Sequence, residues 1–131
     1  GVDMSKGSTD RKLAESPHQY TGMWIRPDKR LAIYLRDRFR CLVCGANLHH
    51  VSANWITLDH VVTQSEEKNN ESRNLFTCCK GCNCSRQDKP LEEFASGAAL
   101  GRIRRQLKLS LSPYRELARA LIEGEWALPP T

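Results

Sequence analysis

Asp59 and His60 stand side by side, Asn74 and Asn83 follow, and two C-x-x-C pairs, Cys41/Cys44 and Cys79/Cys82, bracket the set. Two thiolate pairs at this spacing suit one tetrahedral zinc ion. Four sulfurs leave no coordination position open, which marks a structural ion rather than a catalytic one. An imidazole, with an unperturbed pKa of roughly 6.5, is a fitting general base near neutral pH. A carboxylate and an amide oxygen are hard donors of the kind Mg²⁺ accepts while keeping waters and substrate phosphate oxygens beside them. The combination points to a small zinc-braced domain with a second metal site suited to cutting phosphodiesters.

Taken singly, each residue has a plainer explanation. An Asp-His pair is common on surfaces, and an isolated Asn is more often a turn or cap residue. The order is what separates this stretch from chance, because all three polar elements lie between matched thiolate pairs. Six cysteines are present, and Cys78 and Cys84 compete for ligand roles. The repeated two-residue spacing favours Cys79 with Cys82 and leaves Cys78 and Cys84 as packed or surface thiols. His49 and His50 follow the first pair in a polar stretch and read as an exposed loop. Paired C-x-x-C spacing fits one metal better than a disulfide framework, and a thioredoxin-like redox pair lacks its βαβ context.

In the order C-x-x-C-G, D-H, N-L and C-x-x-C-N, residues 30–94 resemble the HNH (ββα-metal) endonucleases, in the branch whose last histidine is replaced by asparagine. The resemblance implies that His60 is the general base and that Asp59 and Asn83 hold one divalent cation, Mg²⁺ or another such as Mn²⁺ or Ni²⁺. It implies that Asn74 braces the loop by bonding backbone near the histidine. It further implies DNA as substrate, 5′-phosphate and 3′-hydroxyl products, and a bacterial or phage setting. A larger nuclease complex or an immunity protein is a possible partner in that setting. The loop after His60 departs from the family pattern, carrying Thr63, Glu66, Glu67 and Lys68 where a Pro and paired Gly are often found.

The elements that must position these residues are legible in outline. Pro27 and Asp28 suit the first turn of a helix that carries Leu31, Ile33, Tyr34, Leu35 and Phe39 and should end at the Cys41 turn. Trp55 to Leu58 favour a strand leading into Asp59-His60. Consecutive strand residues point to opposite faces, so the strand is expected to end or bulge there if both are to serve one phosphate. Gln64 to Arg73 reads as a loop, Leu75 to Thr77 as a returning strand, and Cys79 to about Asp88 as a helix. Gly45 and Gly81 are expected to let the chain turn tightly around the sulfurs. Leu91 to Phe94 make a helical turn. Leu100, Ile103, Leu107 and Leu111 then fall on one face of a basic helix. Ser112 and Pro113 look like the cap and first position of a last helix closed by Gly124.

The expected fold is small and α+β, a ββα-metal core braced by a four-cysteine zinc site and flanked by an N-terminal helix and C-terminal helices. Residues 1–22 read as a flexible arm, 23–96 as the nuclease core and 97–131 as a basic helical extension packed on it. At 131 residues the chain has one domain's length, and three Phe, three Tyr and three Trp leave its core thin enough for a metal staple to matter. No apolar run approaches the ~20 residues that span a bilayer, so a soluble, intracellular protein is expected. The formal charge is +5, and a zinc tetrathiolate would lower it to roughly +3. Local charge says more about partners. Arg86 and Lys89 follow the catalytic helix start, and Arg102, Arg104, Arg105 and Lys108 form the densest basic cluster. That cluster reads about equally as a solvated helix face or a phosphate-binding one.

Overall fold

The computed structural model describes residues 25–63 and 69–124. The N-terminal arm expected over residues 1–22 and the loop residues Glu66, Glu67 and Lys68 lie outside the described residues. Among the described residues the architecture is small and α+β, with a two-stranded antiparallel sheet and five helices. The order is α1 (Pro27–Arg36), β1 (Ile56–His60), a 3₁₀ turn (Ser72–Asn74), β2 (Leu75–Cys79), α2 (Lys80–Arg86), α3 (Leu91–Phe94), α4 (Gly97–Leu107) and α5 (Ser112–Glu123).

Helix α1 starts as its sequence dictates, with a proline in the first turn, Asp28 beside it and Arg36 in the last turn. It ends five residues before Cys41, earlier than the apolar pattern predicts. The cause is a buried polar anchor. The Arg36 guanidinium grips both carboxylate oxygens of Asp37 at 2.8 and 3.0 Å and donates to the carbonyls of Ser72 and Leu75. Asp37 Oδ2 in turn accepts the β2 amide of Thr77 at 2.9 Å. These bonds tie the helix end to the sheet, and Arg38 and Phe39 then adopt left-handed backbone angles that redirect the chain to Cys41.

β1 pairs with β2 from Ile56↔Cys79 to His60↔Leu75 without a bulge. Strand alternation therefore divides the hairpin. Leu58, His60, Leu75 and Thr77 lie on the α1 face, where Leu58 and Leu75 pack with Ile25 and Ile33. Thr57, Asp59, Phe76 and Cys78 lie on the opposite face, where Phe76 and Cys78 join Cys41, Leu42, Leu91, Ala99 and Ile103 in the larger core. The ladder runs one residue further, with Val61 N–H bonded to the Asn74 carbonyl at 2.9 Å.

Ser96 caps α4 by accepting the Ala99 amide, and α4 inserts Ala99 and Ile103 into the core beside the first cysteine pair. It stops at Leu107, so Leu111 is not on its apolar face. Leu111 instead packs against the α1 cluster at the start of α5. Helix α5 lies along α1, held there by Arg115 and Arg119, each 3.2 Å from Asp28. It closes on Gly124, whose φ of 85° is the left-handed angle that glycine adopts at no cost.

Candidate functional site

Cys41, Cys44, Cys79 and Cys82 converge, with their sulfurs all within 4.8 Å of one another. Zinc–sulfur bonds of about 2.3 Å in a tetrahedron set sulfurs about 3.8 Å apart. Cys44 and Cys79 stand at 3.9 Å, so a zinc ion fits this cage. Backbone amides complete it: Cys44 N–H points at Cys41 Sγ and Cys82 N–H at Cys79 Sγ, each at 3.4 Å. Such donors favour the thiolate form that a metal needs.

The two pairs turn by different means. Gly45, at φ 83°, carries the turn after the first pair. Gly81 does not share that job, because it sits inside α2 with ordinary helical backbone, and the helix itself supplies the turn between Cys79 and Cys82.

Cys78 is fully buried on β2 and is a neighbour rather than a ligand. A hydrogen bond from its thiol, outweighing the opposing effect of burial, draws the Cys41 thiol down to about 4. Burial, with neighbouring sulfur as a further cause, pushes the Cys44 and Cys82 thiols upward. Sulfurs this close cannot all ionise unless a cation joins them, so metal entry must release protons. Cys84 is exposed. His49 is exposed and stands against the Phe39 ring at a 5.0 Å centroid distance.

Two of the basic residues assigned to DNA are turned inward. The Arg102 guanidinium reaches from α4 to the carbonyls of Leu42 and Val43, between the first two cysteines, at 3.2 and 3.1 Å. Arg86 is 1% exposed and faces the end of β1. Both contacts replace a phosphate-facing role with an internal one, because the backbone carbonyls they satisfy are otherwise orphaned. Lys89, Arg104, Arg105 and Lys108 are exposed.

Next to the cage, α2 presents Asn83 and Arg86 to the face of β1 that carries Thr57 and Asp59. The Asn83 amide donates to Thr57 Oγ1 at 2.9 Å and to the Leu58 carbonyl at 3.4 Å. Both of these bonds are made through Nδ2, so the Asn83 oxygen Oδ1 takes part in neither. Asp59 Oδ1 accepts the His60 backbone N–H at 2.8 Å, and Oδ2 is 3.1 Å from Arg86 Nη1.

Because β1 is regular here, the His60 ring leaves from the other face, at the last residue of the strand. Its Nε2 lies 2.8 Å from Asn70 Oδ1. The amide oxygen can only accept, so Nε2 is the donor in this bond. The Asn70 carbonyl is in turn held by Lys29 of α1.

Asn74 extends the ladder with its side chain. Its Oδ1 accepts Val62 N–H at 2.9 Å, and its Nδ2 donates to the carbonyls of Val62 and Asn69 at 3.3 and 2.8 Å. One buried amide thus replaces the missing next residue of β2 and fixes both ends of the loop after His60.

Neither Asn70 nor the inward Arg86 was singled out by sequence reasoning for these contacts. Asn70 sits in a run of polar loop residues that nothing distinguishes. On the α1 side, a cleft of about 640 Å³ lies between α5 and the 3₁₀ turn, and Lys29, Arg73, Arg115 and Arg119 line it with Glu71 and Glu116.

Comparisons with family models, with curated proteins and with solved structures find no match to this chain. Among the described residues no helix is long and apolar enough to cross a membrane.

Proposed function

We propose that this protein is a metal-dependent DNA endonuclease of the HNH type with a structural zinc. It hydrolyses phosphodiester bonds, by nicking or double-strand cutting, to 5′-phosphate and 3′-hydroxyl ends. His60 takes the proton of the attacking water, and Asp59 and Asn83 hold a divalent cation such as Mg²⁺, Mn²⁺ or Ni²⁺. When bound, that cation would offset charge developing on the scissile phosphate and the leaving oxygen. Asn70 and Asn74 orient the imidazole and its loop.

One observation carries the reading. Asn83 directly follows the cage ligand Cys82 and is bonded to Thr57 and Leu58, the two residues before Asp59-His60. Metal cage, amide and Asp-His pair are therefore one rigid unit. The absence of a bulge means that Asp59 and His60 would approach a phosphate around the open end of β1, from either side of the strand.

The product chemistry tests this. Nicked plasmid produced in Mg²⁺ should be sealed by DNA ligase with no prior end repair, and ends that need repair would reject the proposed reaction.

A second reading, a zinc-stabilised nucleic-acid-binding module without catalysis, is favoured by one contact. Both Asp59 oxygens already have partners, His60 N–H and Arg86. Retarded migration of DNA with no cutting in Mg²⁺, Mn²⁺ or Ni²⁺ would select it.

A further inference from the structure

Arg86 is among the most completely buried large side chains of the described residues, yet its one carboxylate partner among them is Asp59, the proposed cation ligand. Its guanidinium makes four hydrogen bonds. Nε donates to the Lys89 carbonyl at 2.9 Å, and Nη1 to Asp59 Oδ2 at 3.1 Å and to the His60 carbonyl. Nη2 donates to the Val61 carbonyl at 2.9 Å. Consecutive carbonyls of an extended strand point in opposite directions. The carbonyls of His60 and Val61 both meet this one group, so the chain leaves the extended course immediately after His60, with Arg86 at the inside of the bend. The same cation pairs with Asp59, whose side chain is 12% exposed.

From this geometry, and resting on the nuclease reading above, we propose that Arg86 is a positioning residue with two effects. Its carbonyl bonds fix the bend that presents His60. Its charge is the resident counter-ion of Asp59, which an incoming divalent cation must share, so Arg86 sets the cation affinity low. The three carbonyl bonds keep the guanidinium beside the carboxylate when a cation arrives, and two like charges at one carboxylate oppose each other. The chain consequently folds its Asp59 face without the cation and binds that cation weakly.

The test uses zinc-loaded full chain, with zinc content and thermal melting recorded for every variant. Mn²⁺ binding is followed by the loss of the free-ion electron paramagnetic resonance signal, with Asp59→Asn as the control that removes the site. Arg86→Gln removes the charge and is expected to tighten Mn²⁺ binding about tenfold, as expected for a lost like charge, while slowing plasmid cutting. Arg86→Lys keeps the charge without the fork, so its Mn²⁺ affinity should stay within about threefold of wild type while cutting still slows. Tighter cation binding with slower turnover is a split that general destabilisation does not produce.

Should Arg86→Gln not fold, the wild type answers alone: the guanidinium resonances of Arg86 should move as Mg²⁺ saturates the site. Unchanged or weaker Mn²⁺ binding in a folded Arg86→Gln chain would overturn the proposal and leave the nuclease reading standing, as would motionless Arg86 resonances. If wild type binds Mn²⁺ no better than Asp59→Asn does, the proposal and the metal site of the nuclease reading fall together.

Discussion

Replacing Asp37 by Asn should cost more stability than any single surface change. Arg36 and Asp37 both have side chains with no exposed area. Asp37→Asn keeps the shape but strips the charge that pairs with Arg36. It also substitutes an amide for one of two oxygens, which currently serve Arg36 Nε, Arg36 Nη2 and Thr77 N–H. Breaking one side of a buried pair costs about 3–5 kcal/mol because the other charge is left uncompensated. For a chain of this length that corresponds to a melting temperature lower by roughly 10–20 °C. The damage should extend to the site. Arg36 also holds the carbonyls of Ser72 and Leu75, which flank Asn74, so the loop after His60 should gain amide hydrogen exchange. Urea unfolding of the zinc-loaded protein measures the first effect and exchange at Val61 and Val62 the second. The double variant Arg36→Met/Asp37→Leu should recover most of the loss, since no unpaired charge remains. A loss below about 1 kcal/mol in Asp37→Asn, the range of an exposed pair, would refute the role given to this anchor.

Other outcomes follow from the cage and the helix packing. Arg102→Met should release zinc to a competing chelator about tenfold more readily, because groups that orient metal ligands commonly contribute this much; unchanged release would return Arg102 to a surface role. Cys82→Ser should abolish stoichiometric zinc and cooperative melting, whereas Cys78→Ala should keep one zinc per chain by elemental analysis. Zinc affinity should fall as pH falls. Cys44 and Cys82 hold their protons more tightly than ordinary thiols when no metal is present, so binding releases protons and acid reverses it. Calorimetry in buffers of different ionisation heat reads this release, and a heat independent of buffer would contradict it. Burial works to raise the Asp28 carboxyl, but Arg115 and Arg119 hold it below the ordinary carboxylate value. Its contribution to α1–α5 packing is therefore present above about pH 4 and lost as pH falls through the lowered value. Asp28→Asn should remove that acid limb from the melting profile.

The cage was legible in the sequence because two-residue cysteine spacing is a local geometric constraint that tertiary context does not alter. The hairpin was legible for a similar reason, since β-branched and aromatic residues flank polar breaks. What the sequence concealed was the side-chain-to-backbone bonding over long separations. Arg36 and Asp37 continue a helical pattern, and only the sheet they anchor explains why α1 stops there. Arg86 and Arg102 look like members of a basic surface, because a carbonyl 25 or 60 residues away leaves no mark beside them. Of the two ways expected to bring Asp59 and His60 to one phosphate, an end or a bulge in the strand, the structure has the end: β1 stops at His60, with a regular register up to that residue.

In the proposed reaction the His60 imidazole at the end of β1 activates water for phosphodiester cleavage. Supercoiled plasmid incubated with zinc-loaded protein, with and without Mg²⁺, tests it most directly when wild type is set beside His60→Ala of equal zinc content. Wild type should nick or linearise the plasmid only when Mg²⁺ is present, and the variant should lose about 10²–10⁴-fold, the usual contribution of a general base. Equal cutting by both chains, or none by wild type in Mg²⁺, Mn²⁺ or Ni²⁺, would contradict it.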